Sequence, residues 1–64
     1  MFGWTYLDQS GEELGRSPRF GDAEAAEEWI GSSWRDLLEN GIEEVALVDD
    51  VRGRTLYRMG LGPE

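Results

Sequence analysis

The groups in this chain able to do chemistry are carboxylates, hydroxyls, indoles and guanidiniums, because it has no histidine, no cysteine and no lysine. That set removes the usual general bases, thiol nucleophiles, Schiff-base amines and transition-metal ligands together. Adjacent acids occur at Glu12-Glu13, Glu27-Glu28 and Glu43-Glu44. Two carboxylates do glycosidase-type work only when held a fixed distance apart across a cleft, whereas neighbours in sequence point different ways and read as a solvated face. Asp49-Asp50, ahead of Gly53, lacks the alternating oxygen ligands and closing glutamate of a calcium loop and reads as a hairpin turn. The stretch "GRSPRFG" has glycines but neither a phosphate-loop lysine nor a helix in the right relation to it. No catalytic residue, metal ligand or cofactor is assigned, and the chain is expected not to be an enzyme.

Arginines and aromatics remain. Arg16 and Arg19, then Arg52, Arg54 and Arg58, with Trp4 or Tyr57 near them, are the mixture that single-stranded nucleic acid favours. The charge balance opposes that reading. The formal net charge is −8, from fourteen acidic residues against six basic ones, and from Asp22 to Asp50 Arg35 is the one guanidinium among the carboxylates. Such a field repels nucleic acid and anionic membrane and attracts basic partners. The guanidiniums are therefore expected to pair with Glu43, Glu44 and the acids between residues 22 and 39. Trp29 and Trp34 would suit a stacked planar ligand such as a flavin, but their spacing places them in a core.

The elements that position these groups follow from periodicity. "FGWTYLD" alternates Phe2, Trp4 and Tyr6 against Gly3, Thr5 and Leu7, the pattern of a strand. Asp8 to Gly11 is turn chemistry, and Leu14 to about Ser17 returns as strand two, limited by Pro18. Asp22 caps a helix over about Ala23 to Glu39, with Glu24 at the positive end of its dipole. At about 100° per residue, Ala26, Trp29, Ile30, Ser33, Trp34, Leu37 and Leu38 fall on one face. The stripe keeps its phase through Gly31-Ser32-Ser33, so one unbroken helix is predicted, with Ala26 and Ser33 as small residues letting a sheet approach. Asn40-Gly41 ends it. "IEEVALVDD" is strand three, "RTLYRMG" is strand four, and Leu61 to Glu64 reads as a fraying tail. The fold class is α+β, ββαββ, one long helix on an antiparallel-rich sheet of about four strands in a single domain.

One helix covers one face of such a sheet, so a second apolar surface is expected on the other. Without cysteines or zinc ligands, a chain this short has association as its remaining common source of extra stability, and a homodimer is expected through that surface or the sheet edge. The residues assigned to interaction are Trp4, Tyr6, Tyr57, Met59, Arg54 and Arg58. No apolar run approaches the roughly 18 residues of a membrane span, and "MFGWTYLDQ" has no export-signal pattern. A cytoplasmic location is expected.

Trp4, Tyr6, Ala25-Ala26, Trp29, Trp34, Leu37, Gly41, Val45, Leu47 and Tyr57-Arg58-Met59 together make the chain resemble a group of short uncharacterised actinobacterial proteins. The resemblance spans nearly all of it and implies a shared fold, with no activity attached. The function expected is that of a protein-interaction or regulatory module, a homodimer able to offer its acidic helix to a basic protein partner. The alternatives are a small planar-ligand binder using tryptophan and arginine, and an acidic mimic of nucleic acid.

Overall fold

The structure is a computed structural model that describes residues 1–62. Strands β1 (Phe2–Leu7) and β2 (Glu13–Arg16) form a hairpin, helix α1 (Ala23–Glu39) crosses over, and β3 (Glu44–Asp49) and β4 (Arg54–Gly60) form a second hairpin. The strands make one antiparallel sheet in the order β2-β1-β3-β4, so β1 and β3 are central and β2 and β4 are edges. This is the α+β, ββαββ arrangement expected from the sequence.

The helix is continuous through Gly31. Its start is set by the Asp22 carboxylate, which accepts a hydrogen bond from the Ala25 N–H at 2.7 Å, supplying a partner for a backbone donor that has none within the helix. Its end is a Schellman closure: the Ile42 N–H donates to Leu37 O at 3.1 Å and the Gly41 N–H to Leu38 O at 3.1 Å. Gly41 adopts φ +85° there, a conformation that costs a side-chain-bearing residue.

Trp4 ties helix to sheet. It is 0% exposed, and its indole N–H donates to the Ala26 carbonyl at 2.8 Å, so the largest core side chain has its one polar group satisfied. Ala26 is likewise fully buried; its small side chain permits this approach. Ile30, Ile42, Val45, Leu47 and Leu61 complete the buried cluster. The register pairs Trp4 with Leu47 and Leu47 with Tyr57, and Tyr6 with Val45 and Val45 with Met59. These residues lie on the side of the sheet that faces the helix.

Two expectations need correction, those for Trp34 and Leu61. Trp34 is 38% exposed and outside the core cluster. It stands about 80° around the helix from Ala26, at the margin of the stripe; Trp29, at the opposite margin, is covered by Phe20 with ring centroids 5.7 Å apart. Gly31 faces open space, with no atom beyond its chain neighbours and the local helix backbone within 4 Å of where a Cβ would lie, so close packing is not the reason it is there. Leu61 does not fray: it is 8% exposed and its N–H donates to Glu43 O at 2.9 Å. Pro63 and Glu64, the rest of that expected tail, lie outside the described residues.

Candidate functional site

Two surfaces carry the charged and aromatic groups, the open face of the sheet and the outer side of the helix. On the open face, alternation sets Gly3, Thr5 and Leu7 of β1 beside Val48, Ala46 and Glu44 of β3. Arg16 stands opposite Thr5 on one flank and Arg58 opposite Ala46 on the other. Thr5, Leu7, Ala46 and Val48 help line a shallow depression of about 300 Å³, bordered by Glu13, Thr55 and Arg58. Ala46 is only 5% exposed although no helix covers it, being a small side chain flanked by larger neighbours.

Each guanidinium on this face is matched. Arg58 makes two hydrogen bonds to the Glu44 carboxylate, at 2.9 and 3.0 Å. Arg16 donates to Glu13 at 2.8 Å, and that carboxylate holds the Arg16 guanidinium above its ordinary pKa. Arg19 lies over Gly3, where a Cβ would collide with its guanidinium, and donates to Asp50 at 2.7 Å. Partial burial acts to raise the Asp50 pKa, but the hydrogen bonds from Arg19 and the N-terminal ammonium outweigh it, and the carboxyl ends below its usual value. The face therefore has a centre of small and apolar side chains and a rim of three ion pairs.

The outer side of α1 is arranged differently. Asp22, Glu24, Glu27, Glu28, Asp36 and Glu39 are its carboxylates and Arg35 its single cation. Among the described residues no ion pair includes any of these acids. The Arg35 guanidinium sits 5.3 Å from the centroid of the exposed Trp34 ring. Glu27 accepts a hydrogen bond from the Tyr57 hydroxyl at 2.7 Å. Burial, and then this bond, push the Tyr57 pKa up to about 12.

The six residues assigned to interaction from the sequence do not form one surface. Trp4 is wholly buried against the helix, and Tyr6 and Met59 are half-buried on the same side. Tyr57 is 39% exposed and meets Trp4 edge to face, with centroids 5.9 Å apart. Arg54 is exposed at the start of β4, opposite Asp49, and Arg58 stands on the other side of the sheet with Glu44. The arginines were expected to pair with Glu43, Glu44 and the helix acids; Glu44 is so paired, but the other partners are Glu13, Asp49 and Asp50. Glu13, Arg16, Arg19 and Asp50 were not assigned: Glu13 and Arg16 lie on a strand whose neighbours were unknown, and Arg19 and Asp50 lie outside the strands, brought together only by the fold.

The free edges are guarded unequally. Edge β2 is four residues long, irregular at Leu7, and followed by Pro18. Edge β4 is seven residues long and carries a bulge where Tyr57 and Thr55 oppose successive residues of β3. Two copies pairing through β4 about Arg58 would set guanidinium against guanidinium, and moving the centre to Tyr57 runs the ladder into the bulge. Both devices discourage edge pairing.

Comparison with protein-family models, curated proteins and solved structures returns no match. No helix of the described residues is long and apolar enough to cross a membrane.

Proposed function

We propose that the chain is a non-enzymatic protein-interaction module that acts in the cytoplasm as a homodimer, two copies meeting through the open faces of their sheets. The observation that carries this reading is the one-to-one pairing of charge on that face. Every copy carries a net charge of −8, so two copies repel wherever their unpaired carboxylates approach. The open face, with Arg16, Arg19 and Arg58 matched by Glu13, Asp50 and Glu44, is where they meet without that cost. Its apolar centre and polar rim follow the anatomy of protein interfaces, and Thr5, Ala46 and Val48 are small enough for sheets to stack about 10 Å apart.

The dimer is a weak one. Four strands about 4.8 Å apart and about six residues long span roughly 400 Å² of sheet, short of the about 800 Å² per partner of a standard interface. Sedimentation of the wild-type chain up to about 500 µM, within the micromolar-to-millimolar range of small interfaces, tests it. Concentration-dependent dimer formation is expected, abolished by Val48→Glu with the circular dichroism spectrum unchanged. A wild-type monomer throughout that range overturns the reading.

A further inference from the structure

The outer side of α1 leaves its charge unmatched, and we infer that it is a docking surface for a basic protein segment, with the Trp34 ring receiving an arginine or lysine side chain of the partner. This surface lies across the molecule from the sheet's open face and does not depend on the dimer.

Three observations bear on it. First, among the described residues no ion pair includes a carboxylate of α1, whereas Glu13, Glu44 and Asp50 around the open face of the sheet are matched, so six carboxylates against one arginine stand along one helix and its cap. Second, Trp34 is a large aromatic side chain left exposed in that field. Indole is the aromatic face that best receives a cation, and tryptophan is enriched among residues that dominate protein interfaces. Third, the ring already holds a cation: Arg35, the one guanidinium of the helix, lies over it. The internal cation shows that the ring face accepts such a group, and it occupies the place a partner's side chain would take.

The spacing defines what fits. Glu27, Gly31, Trp34 and Leu38 recur at intervals of four, three and four and so share one side of the helix. The Tyr57–Glu27 hydrogen bond shows that this side looks toward β4. Glu27 and Trp34 lie about 10.5 Å apart along the axis, a span matched by basic residues two turns apart on a partner helix or about three apart on an extended segment. Between them, Gly31 leaves the surface open. Nucleic acid and anionic lipid are excluded as occupants by the sign of the field.

The test uses a fluorescein-labelled oligoarginine peptide, followed by anisotropy and by tryptophan fluorescence at low salt. Trp34→Leu removes the ring without changing charge and is expected to weaken binding about fivefold. Arg35→Gln removes the internal competitor and is expected to tighten binding about threefold. Arg52→Gln makes the same change in net charge in the β3–β4 turn and controls for general attraction; it is expected to stay within about twofold of wild type. Arg35 is exposed, so its variant folds whatever becomes of Trp34→Leu. Arg35→Gln no tighter than Arg52→Gln, or Trp34→Leu binding like wild type, overturns the proposal.

Discussion

The open face of the sheet and the outer side of the helix are both solvent-exposed and both charged, yet they are opposite in design. On the sheet, three guanidiniums find three carboxylates: Arg58 reaches Glu44 across strands, Arg19 reaches Asp50 from a distant loop, and Arg16 reaches Glu13 within β2. On the helix, acids stand along a single element with one arginine, and that arginine is stacked on an indole. The helix and its cap, with six carboxylates against one arginine, therefore hold more of the net charge of −8 than any other element. Cross-strand neighbours let charge be matched between elements distant in sequence, while an isolated helix face has only its own residues at intervals of three and four to draw on.

The sharpest way to test this division is through two tryptophans, Trp4 buried beneath the helix and Trp34 exposed at its flank. Trp4→Ala removes the buried ring and its hydrogen bond to Ala26; large-to-small changes of this kind cost about 3–5 kcal/mol, enough to unfold a domain this small at 25 °C. Trp34→Leu should cost less than about 1 kcal/mol, as exposed substitutions do. Urea denaturation followed by circular dichroism separates them. Equal losses would mean that Trp34 belongs to the core and the helix's outer side is not a separate surface.

Two glycines extend the comparison with a smaller effect of opposite signs. Gly31→Ala should stabilise by about 1 kcal/mol, because a helix interior favours alanine and nothing occupies the space above it. Gly3→Ala should destabilise by about 1 kcal/mol through overpacking, because Arg19 lies where the methyl would go and must leave Asp50 to yield. Thermal melts of the two variants, made in parallel, give the signs directly. If Gly3→Ala melts at or above the wild-type temperature, Arg19 is not fixed across that face.

What could be read in advance follows from the range of the forces involved. The Asp22 cap, the Asn40-Gly41 stop and the unbroken stripe across Gly31 are written in neighbouring residues, so helix α1 was legible to its ends. Strand order was not, since pairing β1 with β3 joins residues from Leu7 and Glu44 to Phe2 and Asp49 across the whole intervening helix. Without that order, alternation divided each strand into two faces but could not place Trp4 under the helix and Arg58 on the open side. Periodicity placed Trp34 on the stripe; it could not tell that Phe20 would cover Trp29 and that Trp34 would be left 38% exposed. Leu61 sat among glycines and a proline and looked like tail, yet its N–H continues the contact to Glu43.

Single charges give a finer test. Glu44→Gln should lose about 0.2–1 kcal/mol, the range of exposed ion pairs, and the loss should shrink in high salt. Glu28→Gln removes a carboxylate that has no ion-pair partner among the described residues, and should be neutral or stabilising by a few tenths of a kcal/mol, since it relieves like-charge repulsion. Equal destabilisation by both would erase the distinction between matched and unmatched surfaces.

Acid titration probes Asp8 and Asp50, both outside the helix. The Asp8 carboxyl is held below its ordinary value, first by the Ser10 hydroxyl and then by the Glu12 N–H, and Asp50 is held low by Arg19 and the N-terminus against the opposing effect of burial. In the unfolded chain both return to near 3.9, the usual aspartate value, so as pH falls the unfolded state binds protons first. Their contribution is then present above about pH 4 and is lost as pH falls through the folded-state values. The wild-type urea midpoint should drop from neutral pH to about pH 3. Asp50→Asn should start lower at neutral pH and drop less, the two curves converging in acid because the protonated aspartic acid and the asparagine lack the same charge. Parallel curves would mean that the Arg19–Asp50 contact contributes nothing that protonation can remove, and the sheet's rim would then be no better matched in energy than the helix.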